Sequence, residues 1–199
     1  MPKNIVLFGG SLHPPGKHHV EIVRTLIPYF DEVIIFPCGS ARRDKPSLDE
    51  VSNEDRAVMV RLAFEELPVR IDLSDLERHI FTPTWDLDER FHREGAVWHV
   101  AGTDLICGGR HGESVIQREW VNGKALWEVC NFAIIVRQNY PFDSDDLPPR
   151  HRIFEPEHSG SSSQIRQRIA FGKPFEELVA PGVAAYIKRH GLYGWKERL

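Results

Sequence analysis

Short apolar runs alternate with segments of helical periodicity along the chain. Six runs rich in β-branched and aromatic residues predict strands at residues 4–8, 32–36, 69–73, 97–101, 131–136 and, more weakly, 152–155. Between the first two runs, apolar side chains from Val20 to Phe30 recur at helical spacing. This strand–helix–strand unit predicts parallel neighbours, because parallel strands need a crossover connection.

Further helices are indicated by their end signals. Ser52 followed by Asp55 predicts the capped start of one helix, and residues 84–94 predict another. Residues 161–171 and 175–190 predict two C-terminal helices, closed by the glycines at 172 and 191. Uniformly apolar strands that alternate with helices are typical of a sheet covered on both faces. We therefore expect an α/β fold, an open doubly wound parallel sheet with a helical C-terminal end, in a single domain over residues 1–199.

Two stretches interrupt this alternation. Residues 107–123 contain four of the fifteen glycines, and residues 140–149 are acidic and proline-rich. Both compositions predict surface loops.

Composition and charge exclude several classes of protein. The 199 residues are 41% hydrophobic and 27% charged, which is typical of a globular chain. A net charge of −4 does not indicate nucleic-acid binding. The apolar runs are far shorter than the roughly 20 residues of a membrane span, so we expect no membrane partner. The sequence has no recognisable leader, which predicts that the protein is not exported. Three scattered cysteines, Cys38, Cys107 and Cys130, indicate reduced thiols and a cytoplasmic location.

The most informative segment follows the first predicted strand and reads GGSLHPPGKHH from Gly9 to His19. Glycines at a strand end let the backbone approach a ligand, and the next helix offers free N–H groups to an anion. The spacing matches neither the Rossmann GxGxxG nor the P-loop. His13, His18 and His19 add donors that can become cationic near phosphate. A plain glycine–proline turn and a zinc site are the alternatives, the latter without nearby cysteine or carboxylate ligands.

Two later segments carry weaker signals. Ser161, Ser162 and Ser163 can cap a helix, and Arg166 lies one turn inside it, facing back toward its start. Hydroxyls, a helix N-terminus and a guanidinium suit a triphosphate, although a well-capped surface helix has the same pattern. Asp104 follows the fourth predicted strand, where a carboxylate can bind ribose hydroxyls or belong to a simple turn.

Taken in order, these segments resemble the nucleotidyltransferase superfamily, and specifically the nicotinate/nicotinamide mononucleotide adenylyltransferases. That family opens with GG(S/T)F(D/N)PxHxGH, carries Gly-x-Asp after a central strand, and has a late SSTxIR motif, in which Ser163 here replaces threonine. Further similarity lies at residues 42–46, 56–63 and 183–193. The resemblance covers nearly the whole chain and implies a Rossmann-like nucleotidyltransferase fold.

The first motif departs from the family pattern. Leu12 replaces phenylalanine, and His13 replaces an acid or amide. Gly16 stands where the first histidine of HxGH belongs, His18 stands where its glycine belongs, and His19 matches the last histidine. Because both family histidines contact ATP phosphates, the resemblance implies that His13 or His18 supplies the missing donor.

The implied reaction is adenylyl transfer in NAD biosynthesis. The 5′-phosphate of a pyridine mononucleotide attacks the α-phosphorus of ATP and expels pyrophosphate, with Mg²⁺ bound to the ATP. The implied catalytic residues are His19, Arg166, His13 and His18. The implied ATP-binding residues are Gly9, Gly10, Ser11, Asp104, Ser161, Ser162 and Ser163.

The expected partners are therefore ATP and a pyridine mononucleotide, and a homo-oligomer is compatible with the sequence. On the mononucleotide side, the resemblance implies Lys45 for the phosphate, Thr84 for the region that selects acid or amide, and Trp120 for stacking on the pyridine ring. Trp127 competes with Trp120 for that role. The altered first motif favours, as an alternative, a nucleotide-binding homologue with weakened catalysis. A related transferase acting on another phosphorylated acceptor, such as phosphopantetheine, is the second alternative.

Overall fold

A six-stranded parallel sheet forms the centre of the computed structural model, which describes residues 2–39, 51–137, 140–157 and 160–196. The strand order is β3-β2-β1-β4-β5-β6, and every neighbouring pair is parallel. The strands are β1 (Asn4–Gly10), β2 (Glu32–Pro37), β3 (Arg70–Ile71), β4 (Ala96–Gly102), β5 (Asn131–Ile135) and β6 (His151–Phe154).

Helices connect the strands and cover both faces of the sheet. They are α1 (Lys17–Leu26), α2 (Asn53–Phe64), α3 (Ser74–Arg78), α4 (Thr84–Phe91), α5 (Val115–Glu119), α6 (Gly123–Val129), α7 (Ser162–Ala170) and α8 (Pro181–His190). Within the described residues, no helix combines the length and the apolar character that a membrane span requires. The predicted α/β fold with a parallel sheet is confirmed.

Alternation along β1 explains why every residue after Asn4 is apolar or glycine. Val6 and Phe8 pack on one face of the sheet, in the core shared with α1, α2, α7 and α8, whereas Ile5 and Leu7 pack on the other face, against α4. Successive side chains of a strand point to opposite faces. The covered residues of β1 are therefore apolar on both faces.

Several boundaries differ from those predicted. β3 contains only Arg70–Ile71, because this edge strand pairs only with Ile34 and Ile35 of β2. The last helix begins at Pro181 rather than at residue 175. Proline fits the first position of a helix, and it disfavours a helix that continues through it from residue 175.

The prediction of a surface loop at residues 107–123 is wrong. Ser114 caps α5 by accepting a hydrogen bond from the Gln117 amide, and Ile116 is fully buried. The second predicted loop, at residues 140–149, is mostly exposed, although Asp146 is buried. Asp146 binds the first segment by accepting hydrogen bonds from the backbone amides of Gly108 and Arg110. These hydrogen bonds hold residues 107–123 against the acidic segment at residues 140–149.

Candidate functional site

The carboxyl ends of β1 and β4 form the crevice at which the candidate site lies. From β1 the chain continues to β2 on one side, whereas β4 pairs with β1 on the other side. Ligands of open α/β sheets bind at such a switch point. Gly10 opens onto this crevice, because a Cβ added there would meet no atom within 4 Å. The backbone is thus free for close approach by a ligand.

His13 is turned into the protein interior, contrary to the expectation of a cationic donor. Its side chain is 1% exposed, and its ring meets the ring of Tyr193 edge-on with centroids 5.1 Å apart. Burial, reinforced by the charges of Arg56 and Arg166, lowers the pKa of His13 to about 3. The neutral, enclosed imidazole therefore supports the loop from the protein interior.

Arg56, on α2, ties the ends of β1 and β2 together. It is 0% exposed, and its Nη2 donates to the carbonyl oxygens of Ser11 and Cys38, each at 2.6 Å. Its Nη1 donates to Asn53 Oδ1 at 3.2 Å. Burial lowers the pKa of Arg56, but a guanidinium remains protonated in proteins. A buried positive charge therefore lies directly behind the loop that carries Ser11.

His19 helps to define the start of α1. Its Nδ1 accepts a hydrogen bond from the Gly16 amide at 3.0 Å, which satisfies one of the free N–H groups at the helix end. In a neutral ring, an acceptor at Nδ1 requires that the proton sits on Nε2. The cap thus fixes the tautomer in which His19 is a donor through Nε2.

The ring of His18 lies between the starts of α1 and α7. A Cβ built on Gly16 would lie 2.6 Å from its Cε1, and one built on Gly160 would lie 3.0 Å from its Nδ1. Burial, with a smaller contribution from the charge of Arg137, lowers the pKa of His18 to about 4. The lowered pKa favours the neutral ring of His18 at physiological pH.

The start of α7 docks directly on the loop after β1. Ser161 caps the helix by accepting from the Gln164 amide, as predicted. Ser162 Oγ donates to the Pro14 carbonyl at 2.9 Å. Arg166 donates to the His13 carbonyl at 2.6 Å and to Ser163 Oγ at 3.1 Å, facing back toward the helix start as predicted. The early and late motifs therefore form one surface.

A cavity lies at the junction of these two helix starts. Its volume is about 260 Å³, and its lining includes Lys17, His18, Gly160, Ser161 and Gln164. Two helix N-termini, the Ser161 hydroxyl and Lys17 favour an anion there, and Glu177, the acidic residue in the lining, is paired with Arg168.

Asp104 and Arg137 occupy the far side of the crevice, after β4 and β5. Arg137 Nε lies 3.3 Å from Asp104 Oδ1, and the Arg137 amide donates to Thr103 Oγ1 at 3.1 Å. The Asp104 carboxylate is thus held at the carboxyl end of β4, on the same edge of the sheet as Gly10.

The residues predicted for the mononucleotide lie on the opposite face of the sheet from α1. Thr84 is the first residue of α4, and Trp120 follows α5. Trp120 is half-buried against an apolar cluster that also contains the buried Trp127. Lys45 lies outside the described residues.

Sequence reasoning did not single out Arg56 or Arg137 as site residues. Arg56 could have been found from helical spacing, because it falls on the same stripe of α2 as the buried residues Ala57, Val60 and Ala63. A charge at a core position of a helix indicates a specific set of partners. Arg137 carries a weaker signal, a basic residue just beyond the carboxyl end of a strand.

Comparison with known proteins adds independent findings. A cytidylyltransferase-like family model matches residues 7–168. A "probable nicotinate-nucleotide adenylyltransferase" of Neisseria meningitidis serogroup B is 29% identical, covering 96% of this chain and 98% of the relative. One of the same name from Lactiplantibacillus plantarum is 28% identical, covering 96% and 88%. The solved structure of Plasmodium falciparum nicotinic acid mononucleotide adenylyltransferase complexed with NaAD has a TM-score of 0.76 at 25% identity, covering 98% of both chains.

Proposed function

Since this chain belongs to the cytidylyltransferase-like family, we propose that it is a nicotinate-nucleotide adenylyltransferase of NAD biosynthesis. It joins ATP and nicotinate mononucleotide to give the dinucleotide and pyrophosphate. The names of the full-length relatives and the NaAD bound in the Plasmodium falciparum structure support this substrate pair.

The observation that carries the proposal is the docking of α7 on the loop after β1. Ser162 and Arg166 each donate to a carbonyl of that loop, although the two motifs are far apart in the sequence. The starts of α1 and α7 thereby line one cavity, with Lys17, His18 and Ser161, while Arg166 is held against the loop after β1. A triphosphate is the substrate group that such a set of donors fits.

The chemistry is an in-line displacement at phosphorus. A 5′-phosphate oxygen of the mononucleotide bonds to the α-phosphorus of ATP, the bond to the β-phosphate oxygen breaks, and pyrophosphate leaves with its electron pair. No covalent intermediate with the protein is required. The protein aligns the two anions and stabilises the charge that spreads over the phosphate oxygens, so donors rather than nucleophiles are needed.

The ATP side of the site uses residues of this kind. We assign the backbone of Gly9, Gly10 and Ser11 to the phosphates, and the Nε2–H of His19 to the α-phosphate. Arg166 has five N–H donors, of which two point at His13 and Ser163, and the others are assigned to the outer phosphates.

Supporting groups complete the ATP site. Ser161 and Ser163 contribute the helix start, while Ser162 holds the loop through Pro14. Asp104 is assigned to the adenosine ribose, which would share this carboxylate with Arg137.

His18, rather than His13, is assigned as the replacement for the first family histidine. Its ring occupies the space above Gly16, whereas His13 faces the interior. A neutral imidazole still offers one N–H donor, so the lowered pKa of His18 is compatible with phosphate contact.

Magnesium would arrive with ATP and supply charge neutralisation on the phosphate oxygens. Asp104, the carboxylate assigned to the ribose, is paired with Arg137, and Glu177, which lines the cavity, is paired with Arg168. Mg²⁺ usually keeps several waters and binds through substrate phosphates in such sites. The phosphates rather than a protein cage are therefore assigned as its ligands.

The mononucleotide would enter from the α4 and α5 side of β4. Trp120 is assigned to the pyridine ring and Thr84 to the carboxylate of nicotinate, with Lys45 for the 5′-phosphate. We further propose that residues 1–199 act as one domain in the cytoplasm, and that any oligomer consists of copies of this chain.

The proposal is tested by incubating the full chain with ATP, MgCl₂ and one of three acceptors: nicotinate mononucleotide, nicotinamide mononucleotide or phosphopantetheine. We expect dinucleotide and pyrophosphate in equal amounts with nicotinate mononucleotide. The variant Arg166→Gln should lose most of this activity. Arg168→Gln is the matched control on the same helix, because Arg168 pairs with Glu177 instead.

Two outcomes would contradict the proposal. Product formed from phosphopantetheine alone would indicate a transferase with another acceptor. ATP binding without turnover on any acceptor would indicate a nucleotide-binding homologue with weakened catalysis, as the altered first motif alone would allow.

A further inference from the structure

A second cluster of chemically reactive side chains lies away from the phosphate crevice. It consists of Asp88 on α4, His99 on β4 and Cys130 immediately before β5. One ligand atom from each residue lies within 4.8 Å of the other two, and His99 Nε2 is 2.8 Å from Asp88 Oδ1. Three separate elements thus direct an oxygen, a nitrogen and a sulfur at one point.

The burial of this cluster is unusual for polar groups. His99 points to the same face of the sheet as the buried Val97 and Ala101, and it is 3% exposed. Cys130 is also 3% exposed, whereas the Asp88 side chain is 29% exposed. Because only the Asp88 carboxylate is partly exposed, an ion from solvent would reach the cluster on the Asp88 side.

The donor set matches one class of cation. Thiolate, imidazole and carboxylate are the ligands of Zn²⁺, with bonds of about 2.0–2.3 Å, whereas Mg²⁺ prefers oxygen. Bonds of that length around a tetrahedral ion place neighbouring ligand atoms about 3.3–3.8 Å apart. Small side-chain rotations would bring the observed atoms to that separation.

We propose that Asp88, His99 and Cys130 bind a single thiophilic divalent cation, with Zn²⁺ as the expected occupant. The fourth ligand is water or the exposed His92, which lies one helical turn beyond Asp88. The cation would link α4, β4 and the start of β5, and its role would be structural. The proposal does not depend on the proposed adenylyl transfer or on the Mg²⁺ that accompanies ATP.

The test uses the full chain, stripped with a chelator and then titrated with Co²⁺. Thiolate-to-cobalt charge-transfer absorption reports a Co–S bond, which histidine-only sites do not produce. We expect saturation at one equivalent, loss of the absorption on addition of one equivalent of Zn²⁺, and a higher Tm with either metal.

Variants assign the ligands. Cys130→Ala should abolish the charge-transfer band and weaken binding by more than about 100-fold, since even outer-shell partners contribute about 10–100-fold. Cys107→Ala is the matched control, because Cys107 is exposed and outside the cluster, and it should behave as wild type. Asp88→Asn keeps the side-chain size and should weaken binding at least about tenfold.

Uptake of less than one equivalent by the wild-type chain would overturn the proposal and leave a hydrogen-bonded cluster. A charge-transfer band that persists in Cys130→Ala would also overturn it. Where circular dichroism shows that Cys130→Ala does not fold, Asp88→Asn decides, and unchanged affinity in that variant would reject the site.

Discussion

The imidazole of His18 occupies the space that a side chain at Gly16 would fill. A Cβ added to Gly16 would lie 2.6 Å from both Cε1 and Nδ1 of His18, and 2.7 Å from Ile165 Cδ1. These separations are far below van der Waals contact. The glycine at position 16 and the histidine at position 18 are therefore one coupled arrangement.

The coupling predicts a double-mutant result. Gly16→His alone should clash with His18 and Ile165, lower the Tm and reduce kcat/KM for ATP by at least about tenfold. Gly16→His combined with His18→Gly removes the first of these clashes and should recover a large part of both losses. Additive losses in the double variant would contradict the coupling, because contacting residues give non-additive effects.

Two substitutions at His19 separate its capping role from its donor role. Asparagine can place an acceptor oxygen near the position of Nδ1 and keep the bond from the Gly16 amide, but it lacks the Nε2–H. We expect His19→Asn to retain the Tm and the ATP affinity while kcat falls by about 100-fold. His19→Ala should lower both the Tm and kcat. Equal losses of kcat and ATP affinity in His19→Asn would reject the donor role.

Stability should fall on acidification because of His13 and His18. Their pKa values are lowered to about 3 and about 4, so both rings stay neutral in the folded protein at mildly acidic pH. In the unfolded chain they take up protons below about pH 6.5, so the unfolded state binds more protons. Each ring then removes up to about 1.4 kcal/mol of unfolding free energy per pH unit, from about pH 6.5 down to its folded pKa.

Urea unfolding at several pH values between 7.5 and 5 measures this slope. His13→Asn should make it shallower, whereas His111→Asn, at an exposed position, should leave it unchanged. An identical slope in wild type and His13→Asn would show that His13 takes up a proton in the folded state.

Arg56→Met should weaken both the fold and ATP binding. The carbonyls of Ser11 and Cys38 would each lose a short, charge-assisted hydrogen bond, at a cost of about 3 kcal/mol in unfolding free energy. Since the backbone of Ser11 is assigned to the ATP phosphates, the KM for ATP should rise. Arg61→Met, at an exposed position of the same helix, is the control for loss of charge. An unchanged KM for ATP in Arg56→Met would show that Arg56 does not shape the loop at Ser11 for ATP binding.

Much of the sheet could be predicted because it is buried on both faces. A strand covered on both faces is mostly apolar, and β1, β2 and β5 show this after their first residue. α5 escaped prediction because its surroundings are rich in glycine and its only deeply buried side chain is Ile116. Five helical residues are too few for a periodic pattern to stand out.

The site was predictable where a motif is local. Ser161 caps α7 and Arg166 faces back along it because both effects act within one helical turn. The orientation of His13 and His18 was not predictable in the same way. It depends on Arg56, Tyr193 and Gly160, which the fold brings to the loop from distant parts of the chain.

The bond from Ser162 to Pro14 also has a consequence for synthesis, because it joins residues 148 positions apart. A ribosome makes the glycine loop early and the serine run late. Until α7 emerges, the nascent chain carries only half of the surface proposed for the phosphates, without Arg166 or the second helix start. Products of premature termination would therefore hold no complete nucleotide site, and would not sequester ATP while they await degradation.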